Sequence, residues 1–525
     1  MAPRPEVPRS VKPRREHKPK RMPVMAIADG YVHLENGAKY LESMLPGLVL
    51  SEPSSIIACH NADIILKRLD EYFDDNPLWQ FKLVPRRHEW ETPETSKRKV
   101  NRVNSTVVSF FGFKRRDGNG KSKYHYPIDP LVFCNNKTAR KLYPEEKSNC
   151  EALLKFGVEV REFCIANGLR ISPTSGGIAG QLLRDKRFYP EDRRKVPRAT
   201  NEKARPNLPG NYYELRTTAH KYHKSALYLD QINSHHKIAQ EIDLPDANSL
   251  FARGRFFNPE QHKIWLKPSN PKFNRILNTH KGLLRVRLQV PYISKDRFPP
   301  PYMRVPGERI VNIYTNELST IHELGGRITA LIAAWTSPDT DEGIKKYARW
   351  ATKEITESKA PWKKATLHAA YGVLAAQPRQ LEFGYKRAKG GQIAYYRIGG
   401  GMVKVKARRT TKVIEMPTVN VIQRGMIEAE TRNRSLALAR ELTRAGATIL
   451  AVYADSIFVD VRNPPLLPDT WQIKGELHNL RFLNSVSFIS MEVTKLPGVP
   501  DRDVMSHLNR LRRIHPKTKN AQIAG

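Results

Sequence analysis

The stretch ATILAVYADSIFVDV, residues 447–461, sets two apolar runs on either side of one carboxylate, Asp455. Ile449, Leu450, Val452 and Tyr453 precede that acid, and Ile457, Phe458 and Val459 follow it. β-Branched and aromatic runs of this length read as strands, and so short a link between them reads as a hairpin with Asp455 at its tip. A buried hairpin offering a single acid suits a metal site. An acid that merely caps a turn between core strands is the plainer alternative, and the rest of the chain decides between them.

Immediately upstream, residues 423–444 form an amphipathic helix stopped by Gly446. Before it, residues 383–415 are Gly-rich, basic and alternating, which predicts an exposed hairpin turning at 399–401 and placed to meet nucleic acid. Residues 343–376 are helical with a break at Pro361, whose missing N–H is harmless in the first turn of a second helix. On that second helix Lys364, His368 and Tyr371 share one face. Further back, residues 284–292 read as extended and 317–335 as a helix. A compact strand at 226–229 ends in Asp230. His220 and His223 form an HxxH pair without further ligands at metal spacing and read as polar surface. Residues 185–211, dense in charge and proline, read as a linker with a domain boundary near 205. From Met22 to about residue 190 short apolar runs alternate with helical stretches, such as 55–59 followed by 62–73, which predicts an α/β domain. Within it RRDGNGKS, 115–122, lacks the first glycine and the following helix of a phosphate-binding loop and reads as a hairpin turn.

The 525 residues carry 89 Lys and Arg against 52 Asp and Glu, a net charge of +37. Such a balance binds polyanions through counterion release, and nucleic acid is the first partner to expect. With 40% apolar and 9% aromatic residues the composition is that of a globular protein, not a disordered one. The longest uncharged apolar stretch, 328–338, falls far short of the ~20 residues a membrane span requires. Cys59, Cys134, Cys150 and Cys164 form no CxxC pair, so neither a disulfide framework nor a zinc ribbon is expected, and a reducing cytosol fits. The first 21 residues hold eight Lys or Arg and five Pro, a basic arm rather than a secretory signal.

Three pieces carry chemistry in order: a strand ending in Asp230, a helix with Lys364, and a hairpin tipped by Asp455. Two carboxylates from adjacent strands can bridge the two divalent ions of nucleotidyl transfer, and a lysine opposite them can neutralise phosphates. YLDQINSHH (228–236), KATLHAAYG (364–372) and VYADSIFV (452–459) resemble motifs A, B and C of family B DNA polymerases, especially the compact protein-primed viral and plasmid enzymes. The resemblance implies template-directed transfer of dNTPs to a primer on DNA, with two Mg²⁺ or Mn²⁺ ions held by the catalytic acids Asp230 and Asp455. It implies that Lys364 contacts the triphosphate and that Tyr371 packs at the nascent base pair. Asn233, Ser234, His235, His236, His368 and Ser456 are the remaining substrate-binding positions. The ring that screens the sugar falls to His235 when counted from Asp230 and to His236 when counted from Asn233.

The implied architecture is α/β and α+β multidomain. A disordered basic arm (1–22) precedes an exonuclease-like, ribonuclease H-like α/β domain (23–205). A polymerase domain with palm, fingers and thumb (206–500) and a basic tail (501–525) follow. A monomer in the cytoplasm is expected, in the host cytosol if the source is viral, replicating a viral or plasmid genome, with a terminal protein as one candidate primer. There are departures. His368 and Ala369 replace the Asn-Ser of motif B, motif A has one extra residue, and Tyr453 stands where motif C has its first Asp. Residues 484–490 lack the lysine that holds a primer terminus, and PGNYYEL (209–215) matches the family's Tyr-x-Gly-Gly element only loosely. In the first domain Asn61 and Asp63 match the second exonuclease motif, but Asp29 lacks its companion Glu and Gly157 stands where a third acid belongs. No proofreading is therefore expected, unless a nearby acid such as Glu35 or Glu159 substitutes. Two other readings remain: a non-catalytic nucleic-acid-binding relative, and another palm enzyme, since Tyr-Ala-Asp-Ser is also similar to the Tyr-x-Asp-Asp of reverse transcriptases.

Overall fold

The computed structural model describes residues 23–45, 47–48, 56–59, 79–81, 85–86, 107–108, 111–116, 122–131, 142–172, 175–189, 196–209, 213–219, 221–252, 265–358, 360–377, 379–398, 401–414, 418–460, 467–482, 488–490 and 494–495. The basic arm, the helix expected at 62–73, Asn61, Asp63, His220 and the tail lie outside them. The chain divides into two compact units, Met1–Leu182 with Arg379–Ile414, and Leu183–Pro378 with Glu415–Gly525.

In the first unit, β1 (Val24–Ala28), β2 (Tyr31–Leu34), β3 (Lys39–Leu41), β4 (Ile56–Cys59), β5 (Trp79–Phe81), β6 (Phe111–Arg116) and β7 (Ser122–Leu131) form one sheet in the order β3-β2-β1-β4-β7-β6-β5. All five residues of β1 are buried, as a strand covered on both faces requires, and β1, β4 and β7 run parallel. β6 and β7 pair as the hairpin expected around residues 115–122. Helix α1 (Asn149–Ala166) starts at Ser148, whose Oγ accepts the Glu151 N–H at 3.2 Å, and lays Phe156, Gly157 and Val160 towards the sheet.

In the second unit, α2 (Arg198–Ala204) lies inside the segment expected to be a linker. Buried Asn201 anchors it by accepting the Val421 N–H at 3.1 Å. The main sheet contains β8 (Tyr213–Leu215) and β9 (Tyr222–Gln231), and α3 (Ser234–Glu241) follows β9. His223 on β9 is buried, not surface, and its ring pairs with the Thr217 hydroxyl at 3.0 Å.

Next come β10 (Lys281–Val290), β11 (Gly307–Tyr314) and β12 (Arg327–Ser337), an antiparallel sheet in the order β11-β10-β12. Here the structure corrects the sequence reading: 317–335 is not one helix. Only Leu318–Glu323 is α-helical, Gly325 at φ 79° breaks it, and the apolar run beyond enters the sheet as β12. A short β-branched run fits either state by spacing alone, and here pairing with β10 decides.

Helices α4 (Glu342–Glu357) and α5 (Pro361–Leu374) meet at the expected break. β13 (Arg379–Ile398) and β14 (Gly401–Ile414) form the expected hairpin. Helix α6 (Val421–Arg444) ends at Gly446, φ 85°, where the Ala447 N–H reaches back to the Leu442 carbonyl.

Strands β15 (Thr448–Tyr453), β16 (Ser456–Asp460), β17 (Trp471–Phe482), β18 (Phe488–Ile489) and β19 (Thr494–Lys495) complete the main sheet in the order β8-β15-β16-β9-β17-β18-β19. Alternation along these strands feeds two cores. Leu229, Val452, Ile457 and Val459 pack with Leu436, Ala439 and Leu442 of α6. Tyr453, Phe458, Phe482 and Phe488 pack on the other face, each worth about 2–3 kcal/mol in buried apolar surface. The strands around Asp230 and Asp455 are therefore clamped from both sides.

Candidate active site

Asp455 lies in the two-residue turn between β15 and β16, as its sequence context predicts. Ala454, the other turn residue, takes φ 47°, a conformation that favours glycine. Two contacts hold it there: Ser435 Oγ donates to the Ala454 carbonyl at 2.7 Å, and Gln231 N–H donates to the Asp455 carbonyl at 2.9 Å. The second bond ties the turn to the end of β9, one residue beyond Asp230. Asp230 pairs across the ladder with Ser456, whose hydroxyl donates to its Oδ1 at 2.8 Å. Ser234, in the first turn of α3, donates to Asp455 Oδ2 at 3.3 Å. Burial, and then the charge of Asp230, hold the Asp455 carboxyl above the usual carboxylate range. Such a pair of acids gains by meeting a cation.

The acids open on a cleft of about 580 Å³ lined also by Asn233, Ser234, His235, Lys364, His368 and Ser456. Lys364 is exposed to it, and among the described residues makes no ion pair. Asn233, at φ 47°, starts α3 and turns His235 and His236 in different directions. His235 faces the cleft beside Arg424, 3.4 Å away, whereas His236 is fully buried with Nδ1 on the Tyr371 hydroxyl at 2.7 Å. Tyr371 therefore lies behind the cleft wall, not in it. Burial, then Arg424 and His368, bring the His235 imidazole down to about 3. Burial, then Lys364, bring His368 down to about 4, and His236 is lowered well below its ordinary value by burial and its neighbours. All three are neutral at physiological pH.

Comparison with solved structures then places the whole chain. It superposes on phi29 DNA polymerase in complex with primer-template DNA and incoming nucleotides at a TM-score of 0.58, with 12% identity over 93% of this chain and 94% of that one. Phi29 DNA polymerase with single-stranded DNA gives a TM-score of 0.55 and 12% identity over 92% and 94%. The chain has the fold of a family B DNA polymerase. No protein-family model and no curated protein matches it in sequence.

Within this polymerase fold the sequence reading missed several cleft residues. Lys474 on β17 donates to Asp230 Oδ2 at 3.0 Å and lies over the Tyr228 ring. Burial works against its ammonium, but the contacts with Asp230 and Tyr228 outweigh that and hold it above the usual lysine range. Arg424 on α6, paired with Glu428 at 2.6 Å, was signalled only by i,i+4 spacing on a helix of undistinguished pattern. Tyr453, at the floor of the cleft, is buried with its ring packed against Tyr213, Phe458 and Phe482.

The donor set fits hard divalent ions. Two carboxylates oriented by serine hydroxyls match a small cation that keeps water and takes its other ligands from substrate phosphates. Among the described residues no group of three or more His, Cys, Asp or Glu could hold a metal. In the first unit, Asp29 sits in the turn between β1 and β2 at φ 52° and accepts from Asn149 Nδ2 at 2.6 Å. Glu35 is gripped by the guanidinium of buried Arg161, with Nη2 at 2.7 Å from Oε1, and Glu159 accepts from the Tyr143 hydroxyl at 2.7 Å. Among the described residues no helix is long and apolar enough to cross a membrane.

Proposed function

We propose that this protein is a template-directed DNA polymerase that adds dNTPs to a primer. The observation that carries the reading is the convergence of Asp230 and Asp455 at one cleft opposite Lys364, in a chain that shares its fold with phi29 DNA polymerase over 93% of its length. Asp230 and Asp455 would hold two Mg²⁺ or Mn²⁺ ions, which when bound supply activation of a 3′-hydroxyl and neutralise the triphosphate. Ser456 and Ser234 fix the carboxylate rotamers that receive them. Lys364 binds phosphate oxygens as a point charge. His235 and His368 form the neutral wall facing the nucleoside, and Tyr371 with His236 braces that wall from behind. His235 is the ring positioned to screen the sugar, and an imidazole there screens a 2′-hydroxyl less strongly than a larger phenol would.

The net charge of +37 supports DNA template and primer as ligands. The reading extends to replication of a viral or plasmid genome, with a terminal protein as a candidate primer. It also holds that the first unit does not proofread, since Asp29 lacks the companion Glu of its motif and Gly157 stands where a third acid belongs. One assay tests both parts: purified protein, an end-labelled primer on template, and Mg²⁺ or Mn²⁺. Extension with dNTPs, and an intact mismatched primer without them, is the expected result. No extension under either metal would favour a non-catalytic relative, and stepwise shortening would overturn the proofreading reading.

A further inference from the structure

Lys474 reaches Asp230 through an irregularity in the sheet. Along β9 and β17, Tyr228 pairs with Gly475 and Leu229 with Ile473, so Lys474 is an extra residue with no partner across the ladder. A bulge of this kind re-aims a side chain, and this one puts the ammonium 3.0 Å from Asp230 Oδ2 and 5.1 Å from the centroid of the Tyr228 ring. That ring is fixed, stacked on Phe458 at 4.9 Å with 4° between planes. Asp230 Oδ1 is taken by Ser456, so each carboxylate oxygen has a donor. With Tyr453 turned into the core, the pair Asp230 and Asp455 carries two negative charges, and Lys474 offsets one of them.

Resting on the reading that these two acids are metal ligands, we propose that Lys474 is a tethered counter-ion that a divalent cation must displace from Asp230. Lys474 thereby sets how much metal the site requires. The lysine side chain is half-exposed, so the pair is weakly held and the ammonium can swing into water when a stronger cation arrives. Lys474 is a positioning residue: it acts on the metal through Asp230.

The test is Mn²⁺ titration of the full-length protein without DNA or nucleotide, reading free Mn²⁺ by electron paramagnetic resonance. Lys474→Gln is expected to bind Mn²⁺ about fivefold more tightly than the unaltered protein, the scale set by an exposed ion pair. Lys474→Arg keeps the charge and should stay near the unaltered affinity. Asp230→Asn should lose the site. Unchanged or weaker binding in Lys474→Gln, with the loss in Asp230→Asn intact, overturns the counter-ion role alone. Unchanged binding in Asp230→Asn overturns the assignment of the acids as ligands, and the counter-ion role with it.

Discussion

Arg161 and Lys474 each set a cation on a carboxylate beside a sheet, one in each unit, and differ in how far water reaches them. Arg161 is 1% exposed and grips Glu35, whereas the Lys474 side chain is 50% exposed on Asp230. A planar guanidinium engaging both oxygens of one carboxylate fixes geometry, and once buried it can leave only by leaving a charge uncompensated. A flexible ammonium half in water exchanges freely. The same pairing of charges is thus a rivet in the first unit and a removable cover in the second.

The hardest blow to this comparison would come from the acids. Asp230→Asn or Asp455→Asn should lower nucleotide incorporation about a thousandfold or more while template binding stays near normal, because the basic surface is untouched. Glu35→Gln should leave incorporation within about twofold. Primer extension by either aspartate variant at the normal rate would sink the assignment. Next in size is stability: Arg161→Met should destabilise the protein by about 3 kcal/mol, since Glu35 and Glu162 lose the buried guanidinium that both of them hold. Lys474→Gln should shift it by less than about 1 kcal/mol. Urea unfolding of the two variants side by side reads the contrast directly, and equal shifts would erase it.

The cleft wall should also respond to acid. His235 and His368 have folded values of about 3 and about 4 against an ordinary 6.5, so the unfolded chain takes up protons first as pH falls below about 6.5. Folding stability is therefore complete above that pH and lost progressively below it, by about 2 kcal/mol per histidine at pH 5. Urea midpoints at pH 7.5 and 5 should differ less in His235→Asn/His368→Asn than in the unaltered protein; an unchanged difference would place the acid sensitivity elsewhere. A further effect is expected on nucleotide: Lys364→Ala should raise the KM for dNTP roughly tenfold, one charge-assisted contact, and unaltered kinetics would remove Lys364 from the site.

Much of the second unit could be read from the chain because its signals are local. The hairpin at Asp455, the break at Pro361 and the glycine stop at Gly446 each rest on neighbouring residues, and the structure has all three. Asp230, Asp455 and Lys364 face one cleft because they end or line such elements. Lys474 was illegible, since its direction depends on a register slip between strands some 240 residues apart. The strand at Arg327–Ser337 was misread for a related reason: its state is settled by its partner β10, not by its own spacing. Glu35 and Arg161 meet only once β1, β2 and α1 are assembled.

Tyr453 limits how this site can change. It stands where the resembling motif carries an acid, and it is wedged among Tyr213, Phe458, Phe482 and Phe488. Placing Asp at 453 by a single change would empty a pocket shaped for an aromatic ring and leave a charge among aromatic rings, a loss of several kcal/mol before any chemistry was gained. Room for an acid there would need the surrounding rings to shrink, and each of those steps alone weakens the sheet that holds Asp455. A third carboxylate is therefore gained at less cost at the rim of the cleft than at position 453.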